Sequence, residues 1–181
     1  MKKLLATILA AAAIAAPAAQ AKHITHLTRT NLDFNHFALA VTAHEATGVT
    51  IKINPADCFE QEKYLGWYWN IKNEIVVCQQ EATRPGVEVY WTAEDLDTLR
   101  HEVHHLVQDC RDGALRGDLD AVYKEPVEMA VEWLGKDYAR HIAKTYADQG
   151  EHTVVMELEA FTVAAMNDPL EQIQDVKNFC S

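Results

Sequence analysis

Positive charge is scarce in this chain. Sixteen lysines and arginines stand against 27 aspartates and glutamates, a formal net charge of −11, which disfavours a nucleic-acid partner or an anionic membrane surface. After residue 21 no segment approaches the ~20 apolar residues of a membrane span, and no internal repeat or low-complexity linker is present. Cysteine is limited to four, at 58, 78, 110 and 180. No pair of them has the roughly two-to-four-residue spacing that structural zinc sites usually require, which argues against a cysteine zinc site.

The chain starts with Met1-Lys2-Lys3, an apolar run over residues 4–16 and Ala19-Gln20-Ala21. That order of charge, apolar core and small residues is the pattern of a secretory signal peptide, residues 1–21. Cleavage after Ala21 leaves residues 22–181, expected to form a single domain. Loss of Lys2 and Lys3 takes the charge from −11 to −13. The expected location is the periplasm or beyond, with no membrane association after cleavage. An even cysteine count in an exported chain points to disulfides. Cys58 and Cys78 bracket a strand-turn-strand unit, and Cys110 ends a helix within reach of the C-terminal Cys180, so the expected pairs are 58–78 and 110–180.

Apolar periodicity predicts a first helix over residues 31–46, stopped at Gly48. Residues 49–53 alternate with period two, and 66–72 and 73–78 read as two further strands about a turn at Lys72-Asn73. Residues 87–90 could add another short strand after the Pro85-Gly86 break. Thr92 with Asp95 three positions on starts a helix to about Cys110. Helices are also expected over 126–149, 153–167 and 170–179. The fold class is therefore α+β: a small antiparallel sheet packed on one helix, with further C-terminal helices.

Within the helix begun at Thr92, Leu96, Leu99, Val103, Leu106 and Cys110 share one stripe, while His101 and His105 point almost oppositely. His101-Glu102-Val103-His104-His105 satisfies the pattern His-Glu-x-x-His. Residues four apart lie on one helical face, so both imidazoles can reach a single zinc ion, and Glu102, one step round, can polarise its water. A catalytic zinc needs a third protein ligand. Residues 154–165 form a helix apolar nearly all round, where a buried carboxylate is costly unless paired or metal-bound. It contains two, Glu157 and Glu159, and burial does not choose between them.

The motif followed by Glu-x-Glu-Ala on a later helix resembles the zincin metallopeptidases of the gluzincin type, in which a downstream glutamate completes the zinc site. Glu159-Ala160-Phe161-Thr162-Val163-Ala164 resembles the Glu-Ala-x-x-x-Ala pattern of small members. The resemblance implies a zincin-like fold, Zn2+ held by His101, His105 and Glu159, Glu157 supporting it from behind, and Glu102 as general base in hydrolysis of a peptide or protein substrate. Residues 68–78 resemble the sheet edge on which zincins hold an extended peptide, a mode with its own physical basis. The metzincin continuation is absent, since Leu106-Val107-Gln108-Asp109 follows the second histidine. An oxyanion donor is expected among His141, Tyr146 and His152. His104 is expected to make a hydrogen bond, His44-Glu45 to be an ordinary helix end, and Glu125, Glu128 and Glu132 a solvated face. Trp67, Tyr68 and Trp69 serve either as a substrate wall or as packing. The competing readings are a secreted protein that holds metal without turnover, and a disulfide-stabilised binding domain.

Overall fold

The computed structural model describes residues 31–60, 64–111 and 115–180; the signal peptide expected over 1–21, like His23 and His26, lies outside them. In order, the elements are α1 (Phe34–Thr47), β1 (Thr50–Ile53), α2 (Asp57–Glu60), β2 (Gly66–Trp69), a 3-10 turn (Asn70–Lys72), β3 (Glu74–Val77), α3 (Ala93–Asp109), α4 (Pro126–Trp133), α5 (Lys136–Thr145), a second 3-10 turn (Ala147–Gln149), α6 (Glu151–Met166) and α7 (Pro169–Phe179).

The mixed α+β class stands as expected, but the sheet is not purely antiparallel. Its order is β1-β3-β2, with β2 antiparallel and β1 parallel to β3. The reason is the connection: β1 leads into α2 before the chain returns through β2, so β1 meets β3 from its other side. Residues 87–90 form no strand. Buried side chains there do what a ladder would: Asn54 Nδ2 donates to Val87 O, and the Gln79 amide pairs with both polar groups of Val89. The single helix expected over 126–149 is two helices, because Gly135, with φ of 86°, leaves the helical region between them.

α3 is the organising element. Thr92 and Asp95 cap it reciprocally, and Asp95 also accepts from the Gln80 N–H, tying the chain beyond β3 to the helix start. One face of α3, with Leu99, Val103, Leu106 and Cys110, joins Leu39, Ile75, Val77 and Val176 in the main core. Its other face lies against α6, and a smaller cluster of Ala130, Ala139, Ile142 and Leu158 holds α4, α5 and α6 together. α3 thus sits between two apolar clusters and is buried on both faces.

Both expected disulfides form, Cys58–Cys78 and Cys110–Cys180. In a chain-entropy account they stabilise by about 3 and about 4 kcal/mol for loops of these lengths. The second locks the C-terminal ends of α3 and α7 together, just past the histidines. β2 also lies close to α3: a Cβ on Gly66 would meet Thr98 Cγ2 at 2.6 Å and Val76 O at 2.7 Å. Glycine is what lets this strand approach the helix.

Candidate metal centre

On α3, His101, His104, His105 and Gln108 follow i, i+3, i+4, i+7 spacing and form one polar face, all buried. α6 covers it with Glu157 and Glu159. These carboxylates divide the face between them. Glu157 meets the paired imidazoles, its Oε2 3.3 Å from His101 Nε2 and its Oε1 3.5 Å from His105 Nε2. Glu159 is turned to His104, with Oε1 2.8 Å from its Nε2, and accepts from Gln108 Nε2 and from the backbone N–H groups of Val122 and Tyr123. The carboxylate beside His101 and His105 is therefore Glu157 and not Glu159. Glu159, 0 % exposed, has its charge matched by four donors, which fixes both His104 and the loop before α4.

His101 Nε2 and His105 Nε2 lie 3.0 Å apart. Two ring nitrogens at that distance need a proton or a cation between them. His105 Nδ1 donates to Gln108 Oε1 at 2.7 Å, and the Gln108 amide nitrogen donates to Met156 O and Glu159 Oε1. The rigid amide holds the ring with Nε2 facing inward. One ligand atom from each of His101, Glu102 and His105 lies within 4.8 Å of the others, so this cluster can hold a metal ion. Glu102 Oε2 and Glu157 Oε2 are buried with no hydrogen-bond partner, an arrangement costly without a ligand.

Electrostatics follow from this crowding. Burial raises Glu102 to about 8, partly opposed by His105 and the Tyr68 backbone N–H. Burial lowers His101 to about 4. His105 would also fall on burial, but Glu157 raises it to about 9, aided by Glu102 and Gln108. Burial would raise Glu157 too, yet the two imidazoles hold it well below the usual carboxylate range. At pH 7 the metal-free site therefore carries one proton on His105 and a second on Glu102. Binding of a divalent ion is expected to expel the first and to draw off the second, with release of about one to two protons per ion at pH 7 and progressively less above pH 9. Calorimetric titration of zinc in buffers of different ionisation enthalpy reads this number; uptake without proton release at pH 7 would contradict the placement of the ion at His105.

A cavity of about 460 Å³ opens onto this cluster, lined by His101, Glu102, Gly66, Tyr64, Tyr146 and Phe161 among others. Of the three expected oxyanion donors, Tyr146 lines it. His152 is exposed and bonds Leu119 O, and His141 is exposed beside Tyr138. Tyr146 also stands close to Glu157, which together with burial raises its hydroxyl above the ordinary phenol value. Trp67, Tyr68 and Trp69 are not part of the lining; the Tyr68 hydroxyl instead donates to Asp109, and Trp69 lies under Lys72. His44 Nδ1 bonds Val49 O at the end of α1, and Glu125, Glu128 and Glu132 are exposed. The aromatics that sequence reasoning missed are Tyr64 and Tyr138, and the missed amide is Gln108. The latter has a signal in the sequence, since it lies four residues after His104 on the histidine face.

Fold and site together define a disulfide-bonded α+β protein with a buried histidine–carboxylate cluster able to bind a metal ion. The chain belongs to the family described as a domain of unknown function, DUF8637, which matches residues 30–181. No curated protein and no solved structure matches it. No helix among the described residues is long and apolar enough to cross a membrane, and the two disulfides are compatible with an extracellular location.

Proposed function

We propose that the protein is an exported zinc-dependent peptidase of zincin-like fold, with His101, His105 and Glu157 holding the ion and Glu102 acting as general base. The observation that carries this reading is the convergence of two imidazoles and one carboxylate: His101 Nε2 and His105 Nε2 lie 3.0 Å apart, with Glu157 Oε2 3.3 Å from the first and Glu157 Oε1 3.5 Å from the second. These separations are close to the ~3.3 Å between ligand atoms of a tetrahedral zinc with bonds of about 2.0–2.1 Å. Two neutral imidazoles and one carboxylate are a common catalytic set for this metal, and they leave a fourth position open. When bound, zinc supplies Lewis acidity to a substrate carbonyl and to the attacking water.

The chain's own residues supply the rest. Glu102, whose Oε2 has no partner within the protein and which lines the cavity, would be ionised beside a bound divalent ion, and in that form it is placed to take a proton from water and return it to the leaving amine. Tyr146 offers a hydroxyl to the oxygen that gains charge. Among the described residues β2 pairs only with β3, and Leu65 O accepts from Cys78 N–H, so the backbone groups of Gly66 and Tyr68 point away from β3; the Tyr68 N–H meets Glu102, and Gly66 lines the cavity. That edge suits an extended peptide added beside β2.

The test is hydrolysis of a mixed fluorogenic peptide pool by the purified mature chain. Activity is expected, with loss of more than about 90 % after chelation and recovery on adding one equivalent of zinc, as a catalytic metal requires. Hydrolysis that survives complete metal removal would overturn the reading, as would a zinc-loaded protein that cuts no peptide.

A further inference from the structure

The acidic residues at the start of α3 are not equivalent. Asp95 is buried in the capping box and used by the Thr92 and Gln80 N–H groups. Asp97 is paired with Arg100. Glu94 is exposed, lines the cavity and has no ion pair among the described residues. At 100° per residue, Glu94, Thr98, His101 and His105 form one stripe along the helix. The stripe runs from the cavity mouth to the proposed metal ligands, with Gly66 of the sheet edge packed against its middle at Thr98. Among the described residues the lining has three carboxylates, Glu94, Asp97 and Glu102, and neither lysine nor arginine. Buried beside the stripe is Glu102, 5 % exposed, whose Oε2 has no hydrogen-bond partner within the protein and is open to a ligand in the same cavity.

Resting on the peptidase reading, we infer that the cleft selects peptides with a lysine or arginine two to four residues from the cut bond, and that Glu94 is the selecting group. The interval comes from geometry. Eight residues separate Glu94 from Glu102, about 12 Å at 1.5 Å per residue. An extended peptide covers that in three to four residues at ~3.3 Å each, and a long cationic side chain shortens the need. The charge of −11 on the whole chain adds an attractive field at long range for such substrates. Because Glu94 is exposed, its selectivity is modest and salt-sensitive.

The experiment compares quenched fluorescent peptides that differ only in a Lys, Gln or Glu scanned through the positions flanking the cleavage site. The wild-type protein is expected to favour Lys over Gln about fivefold in kcat/KM at its best position, the equivalent of about 1 kcal/mol, and less in high salt. Glu94→Gln is expected to level the series and Glu94→Lys to reverse it towards Glu. In parallel, anisotropy with zinc-loaded Glu102→Ala protein reads affinity for the same peptides without turnover, and the Lys peptide is expected to bind tightest. If nothing is cut, the peptidase reading fails while the binding series still decides the charge selection. Equal affinities across the peptides, no binding of any, or a Glu94→Lys protein that keeps the wild-type ranking overturns the assignment of Glu94.

Discussion

Glu102→Ala is expected to reduce peptide hydrolysis by about 10³-fold, the middle of the range for general acid–base groups, while the protein keeps its zinc. The carboxylate contributes the proton transfer; the ion is held by three other side chains. Metal content by mass spectrometry beside the hydrolysis rate separates the two roles. A Glu102 variant that loses zinc would make this residue a ligand and leave the proposed base unassigned. Stability provides a further control. Folded Glu102 titrates near 8, above the ordinary carboxyl value of 4.5, because it is buried. Its folded form therefore binds a proton more tightly than its unfolded form, so the cost of burying its charge is absent below pH 4.5 and grows as pH rises towards 8. Metal-free Glu102→Gln protein should consequently melt no lower than wild type at pH 9, and its loss of activity would not be a loss of fold.

The second large effect distinguishes two glutamates one residue apart. Glu157→Ala is expected to weaken zinc binding by at least about 100-fold, more than the 10–100-fold typical of residues that only support a ligand, with a smaller loss of metal-free stability, because His105, which Glu157 holds up at about 9, can then give up its proton. Glu159→Ala is expected to do the reverse. It strands the His104 ring, the Gln108 amide and the N–H groups of Val122 and Tyr123 in the interior. Removing one member of a buried charged network costs about 3–5 kcal/mol, and a chain of this size loses roughly 10 °C in melting temperature for that. Zinc titration and thermal melts of both variants decide the matter. A Glu159 variant that melts normally but fails to bind zinc would return the ligand role to Glu159.

The sequence carries α3 almost completely: its cap at Thr92 and Asp95, its apolar stripe and its histidine face are all written in side-chain spacing, and the helix observed is the one those signals describe. Both cysteine pairings were legible from element order, since Cys58 and Cys78 bracket the strand-turn-strand unit and Cys110 and Cys180 each cap the C-terminal end of a helix. The parallel placement of β1 was not, because strand direction depends on how the chain returns and not on which residues alternate. Gly135 divides α4 from α5 through a backbone angle that a glycine permits without announcing.

The structure separates Glu157 from Glu159 by a feature that their own helix does not carry. Both carboxylates belong to a helix buried on most of its surface, so hydrophobic context around each is alike. What separates them is on α3: His104 and Gln108 lie on the same face as His101 and His105 and need an acceptor of their own. Glu159 supplies it, leaving Glu157 for the other pair of rings. Tyr146 and Tyr64 reach the cavity from segments far away in the chain, and only the tertiary fold brings them there.

Zinc-edge X-ray absorption of the metal-loaded protein tests the shared ion most directly. The expected spectrum has two imidazole nitrogens and oxygen at 2.0–2.1 Å, and its imidazole component halves in a His105→Ala protein. Sulfur in the coordination shell, a single imidazole, or a wild-type protein that takes up no zinc would contradict a metal centre formed by His101, His105 and Glu157.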